Sequence, residues 1–152
     1  MTKRIIYQRV DGGLSIVIPD IRSVVSNETE DSFLSRVANK SVPNGTPYSI
    51  VDESIIPVDR TFRNAWFSSG NSVLVYMPKA RDIQMEKIRA LRDPKLAELD
   101  VEAIKALEAK DEVKLAEITA LKQKLRDIPQ DFDLTQFSTP EELKAAIPDE
   151  LK

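Results

Sequence analysis

The chain has 152 residues, 41% of them hydrophobic and 31% charged, with 22 Lys and Arg set against 25 Asp and Glu for a net charge of −3. This composition excludes a disordered chain, and the lack of a basic excess argues against an electrostatic footprint for nucleic acid. Neither cysteine nor histidine occurs, which excludes disulfides, thiolate or imidazole metal sites, and a Ser-His-Asp triad.

The opening MTKRIIYQRVDGG lacks the apolar core of a signal peptide, and no apolar run approaches the ~20 residues of a membrane span. A cytoplasmic chain without membrane contact is the expectation. RIIYQR (4–9) and LSIVI (14–18) flank Asp11-Gly12-Gly13, which predicts a β-hairpin because glycine reaches positive φ without a Cβ clash. Pro19 ends its second strand. Residues 29–39 read as a short helix capped by Thr29 or Asp31, with Phe33, Leu34, Val37 and Ala38 on one side.

Val42-Pro43-Asn44-Gly45 turns the chain into a third strand, Tyr48 to Val51. Ser54 to Pro57 is a connection. Asp59 precedes a cluster of Phe62, Trp66 and Phe67 that holds the only tryptophan, and residues 60–66 are expected to form one or two helical turns. Ser72 to Tyr76 is a further strand.

At Met77 the pattern changes period. Met77, Ala80, Ile83, Ile88, Ala90 and Leu91 fall on one side of a helix over 78–92. Pro94 is expected to close or kink it, with Asp93 capping a second helix whose stripe is Leu96, Leu99, Ala103 and Leu107. A third helix starts near Asp111 and repeats Ile118, Leu121, Leu125 and Ile128 at heptad-like spacing, until Pro129. Phe132, Leu134 and Phe137 follow in irregular chain, and Ser138-Thr139-Pro140-Glu141-Glu142 opens a last short helix with Leu143, Ala146 and Ile147 on its apolar side. The fold class expected is α+β: a small β-rich head over 1–77, then a helical, helix-hairpin arm over 78–152.

Charge divides unevenly along the arm. Residues 79–95 carry 6 basic and 3 acidic groups, and residues 127–152 carry 2 and 7. These segments could attract each other or two partners, or be two solvated faces.

Catalytic and metal chemistry finds little support. Asp52, Glu53 and Asp59 crowd one region but lack the ligand spacing of a Ca²⁺ loop, and turns and caps account for them equally well. Asp11-Gly12-Gly13 is followed by no GK[ST] element, so it is no phosphate loop. No cofactor is expected. The aromatic cluster reads either as a patch for a partner or as the head core built on Phe62 and Trp66. The helical stripes pack on each other if the turn at 109–111 is tight, and between chains as a homo-oligomer otherwise. An apolar stripe requires cover, because burying a leucine side chain is worth about 1.5–3 kcal/mol.

DRTFRNAW, MPKARDIQMEKIRALRDPKLAELDVEAIKALEAKD, LKQKLRDIP and STPEELKAAIP together resemble a family of small bacteriophage tail proteins described as tail fibre assembly or tail assembly chaperone-like. The resemblance runs over residues 59–149. RIIYQRVDGGLSIVIP and NGTPYSIVDESIIPVDRTFRNAW are similar to a module found at the front of many such phage proteins. The resemblance implies a non-enzymatic protein that binds tail or tail-fibre polypeptides, as an assembly chaperone in the host cytoplasm or as a permanent component of the virion tail. Leu96, Leu99, Leu107, Ile118, Leu121 and Leu125 are the candidate partner-binding residues of the arm.

Overall fold

The computed structural model describes residues 2–152. It is an α+β fold in two compact units, Met1–Tyr76 and Met77–Lys152.

The head unit is built around a three-stranded antiparallel sheet in the order β2–β1–β3, from β1 (Lys3–Gln8), β2 (Leu14–Val17) and β3 (Tyr48–Asp52). Gly12 stands at φ 79° in the turn joining β1 to β2, where Asp11 Oδ1 accepts a hydrogen bond from the Gly13 N–H. Register pairs Ile5 with Val17 and Ile50, and Ile6 with Ile16 and Ser49. Both isoleucines are buried because the sheet is covered on two faces, and consecutive strand residues point to opposite faces.

Helix α1 (Glu30–Ser41) covers the Ile5 face, packing Ala38 and Val42 with Tyr7 and Val17. Thr29 caps it by accepting from the Ser32 N–H, and Glu30 and Asp31 in the first turn suit the helix dipole. The Ile6 face is covered by a second, two-stranded sheet, β4 (Trp66–Ser69) and β5 (Ser72–Val75). Ile6, Leu14, Val51, Trp66 and Val73 form the core there.

Of the one or two helical turns expected over residues 60–66, one forms. A single 3-10 turn, Arg63–Ala65, is all that forms, and Trp66 begins a strand. The hairpin register decides this. Pairing Trp66 with Val75 and Phe67 with Leu74 puts the indole against the first sheet, and Gly70 at φ 60° makes the turn.

The arm unit holds α2 (Met77–Glu108) and α3 (Glu112–Asp131), packed as a helical hairpin, then a short helix α4 (Pro140–Ala145). Pro94 does not close the helix: α2 is one helix of 32 residues with the proline inside it. Asp93 caps nothing and instead pairs with Arg92. Pro94 and Ala90, whose carbonyl loses its helical partner to the proline, are both exposed, and α3 packs against α2. Pro129 likewise lies inside α3, which runs on to Asp131.

The hairpin turn is tight. The Asp111 N–H bonds to the Ala106 carbonyl and the Lys110 N–H to that of Leu107, with Lys110 left-handed at φ 55°, the Schellman pattern of a helix end. Asp111 also caps α3, its Oδ1 accepting from the Lys114 N–H at 3.0 Å. At α4 the Thr139 hydroxyl and the Glu142 carboxylate form a reciprocal capping box.

Three polar side chains of α2 fasten the C-terminal segment. Arg81 donates to the carbonyls of Leu134 and Phe137, Lys95 to that of Glu150, and the buried Gln84 to that of Ala146 at 2.8 Å. The basic stretch 79–95 thus meets the acidic tail through backbone carbonyls at the ends of short helical turns.

Candidate partner-binding surface

The six leucine and isoleucine positions singled out in the sequence do not form one surface. Ile118 and Leu125 are 5% and 1% exposed, so they are hairpin core and are not available to a partner. The helix period explains this: they lie seven residues apart, on the side of α3 that meets α2. Leu96 and Leu99 are half-buried. Leu107 and Leu121 remain, 60% and 40% exposed.

Heptad spacing could not separate these groups, because Leu121 shares the repeat but lies at its edge. On the head, Phe62 and Trp66 are 3% and 2% exposed and belong to the core. Phe67 is half-buried and meets Tyr76 edge to face, with ring centroids 6.4 Å apart.

A second exposed apolar set runs along α2, and it includes Ala90, which the sequence pattern places on the side of Ile88 but which is exposed. Ala90, Pro94, Ala97, Val101 and Ile104 recur at spacings of four, three, four and three along α2, all exposed, on the side turned away from buried Ile88 and Ala106. Its signal was present as a heptad pattern, but the expected break at Pro94 cut it in two. Val113, 73% exposed, stands at the start of α3.

The electrostatics of the hairpin are local. Asp100 pairs with Lys122 across from α2 to α3, and Glu86 with Arg89 within α2. The Asp133 carboxyl is held below its ordinary value by hydrogen bonds from Thr135, with a smaller pull from Arg81. Among the described residues no group of three or more acidic side chains is placed to hold a metal ion. Asp52 and Asp59 accept from Ser54 and Thr61, as turn residues do. No helix is long and apolar enough to cross a membrane. The open cleft lined by Lys124, Asp127, Ile128, Asp131, Phe132 and Glu150 offers ion-pairing groups but no paired nucleophile and base.

Comparison with family models, curated proteins and solved structures finds none that matches this chain.

Proposed function

We propose that this chain is a non-enzymatic bacteriophage tail protein that binds tail or tail-fibre polypeptides through its helical arm, acting as an assembly chaperone in the host cytoplasm. The resemblance of residues 59–149 to small phage tail proteins supplies the class of partner. The observation that carries the reading is the exposure of large apolar side chains on the arm, with Leu107, Val113 and Leu121 at 60%, 73% and 40%. A folded helix leaves such groups in water at a cost that a client segment removes.

Binding of this kind rests on apolar area, so it persists in salt that screens exposed ion pairs. Co-expression with the tail-fibre polypeptide of the same phage should give a co-purifying complex that survives ~0.3 M salt, where phosphate contacts weaken steeply. Leu107→Glu combined with Leu121→Glu should abolish it with the arm's helicity unchanged. Capture of nucleic acid alone, lost at that salt, overturns the proposal. Mass spectrometry of purified particles separates the two structural roles: a chaperone is absent, and a permanent tail component is present at fixed copy number.

A further inference from the structure

We propose that the outer face of α2 docks a second copy of this chain, helix against helix and antiparallel, about a two-fold axis between Val101 and Ile104. This goes beyond the client reading, and the two surfaces adjoin at Leu107.

The face is the stripe Ala97, Val101 and Ile104, extended by Ala90 and Pro94, with Val101 and Ile104 52% and 57% exposed. Its four-three spacing is that of a helix seam, and the side of α2 that α3 occupies is the opposite one. Two-fold symmetry is the closed way for a chain to cover such a face with itself.

The charges on its flanks select the second copy and its direction. Glu98 and Lys105 sit seven residues apart on the same flank, both exposed, and among the described residues neither has an ion-pair partner. In the antiparallel arrangement Val101 meets Ile104 of the other copy twice, and Glu98 of each copy lies beside Lys105 of the other. On the opposite flank Asp100, already paired with Lys122, then meets Leu107. A parallel arrangement instead brings Asp93 toward Glu98 of the other copy and Asp100 toward Lys105, so that repulsion offsets attraction. About this axis Val101 and Ile104 cover one another, while Ala97 falls opposite Glu108, and Pro94 and Ala90 lie beyond the end of the other copy's α2.

Sedimentation equilibrium of the full chain over ~1–100 μM tests this, with far-UV circular dichroism to confirm folding. The expected species has twice the 17.1 kDa chain mass. Ile104→Glu should give a monomer of unchanged helicity. Glu98→Lys should raise the dissociation constant about tenfold, because two attractive pairs become repulsive. Adding Lys105→Glu to it should restore the original value, which a merely structural role for these exposed residues would not do. A monomer throughout that range overturns the proposal, as does a dimer indifferent to Ile104→Glu or to the charge reversal. Loss of client capture by Ile104→Glu in a protein that is monomeric throughout assigns the face to the client and overturns it too.

Discussion

Arg36 of α1 grips Glu28 with both arms of its guanidinium: Nε donates to Oε1 and Nη2 to Oε2, each at 2.7 Å. The same Nη2 donates to the Ser23 carbonyl, and the guanidinium stands 5.4 Å from the centre of the Phe33 ring. One side chain thereby ties the loop before α1 to the helix. Glu28 contributes a second tie by accepting from the Val25 N–H.

The pair makes the head sensitive to acid in a defined window. The hydrogen bonds from Arg36, with that from Val25, hold the Glu28 carboxyl down at about 2, against an ordinary value of 4.5. The folded state thus binds the proton less readily than the unfolded one, so this contribution is complete above pH 4.5 and is lost as pH falls toward 2. Urea unfolding followed by fluorescence of Trp66, the only tryptophan, should show the midpoint falling across that window. In Glu28→Gln the fall should be shallower, and an equal fall in both would show that other carboxyls set the acid limit.

At the hairpin turn, Asp111→Ala should cost about 1 kcal/mol through loss of the α3 cap. Lys110→Gly should act in the other direction, since left-handed backbone costs a non-glycine residue about 1–2 kcal/mol and glycine returns about 0.5–1 of that as extra unfolded entropy. Denaturant unfolding monitored by far-UV circular dichroism measures both, and the opposite sign for either variant would contradict the turn geometry.

Leu125 and Leu107 should behave as different kinds of residue although the sequence presents them alike. Leu125→Ala opens a cavity in the hairpin and should destabilise the arm by about 2–5 kcal/mol. Leu107→Ala should stay within about 0.5 kcal/mol of the parent. Equal losses in the two would mean that Leu107 is covered within the folded chain.

Gln84 is wholly buried, with Nε2 on the Ala146 carbonyl and Oε1 accepting no hydrogen bond. In Gln84→Glu, burial and the facing carbonyl disfavour the charged form and raise the folded-state value above the ordinary ~4.3 of glutamate. The variant should match its parent most closely near pH 4 and fall behind as pH rises, by up to about 1.4 kcal/mol per pH unit until the raised value is passed. A constant deficit from pH 4 to 8 would place the new carboxyl in water.

The elements legible in the sequence were those with chemistry at their ends. Asp11-Gly12-Gly13 marks the first hairpin, Thr29 the start of α1, Asp111 that of α3, and the Thr139 and Glu142 box that of α4. Each is a local hydrogen bond or a local φ, so a local reading finds it. What escaped was set by distant residues. Trp66 to Ser69 becomes a strand because its partner strand and the first sheet are there to receive it. Pro94 stays helical because α3 packs alongside. Gln84 is buried because the C-terminal segment closes over it.

The proline in α2 has a consequence for the order in which the molecule is made. A polypeptide leaves the ribosome from its N-terminus, and the residues that favour helix beyond Pro94 must wait until α3, ending at Asp131, has emerged. Before then the residue preceding a proline resists helical backbone, and an unpacked helix of this length is marginal. The head has all of its own strands by Tyr76. A nascent chain stalled between these two points carries a finished head and an arm that is still a flexible strand of leucines, so the interval of vulnerability to proteases and stray associations is confined to the synthesis of the 55 residues from 77 to 131.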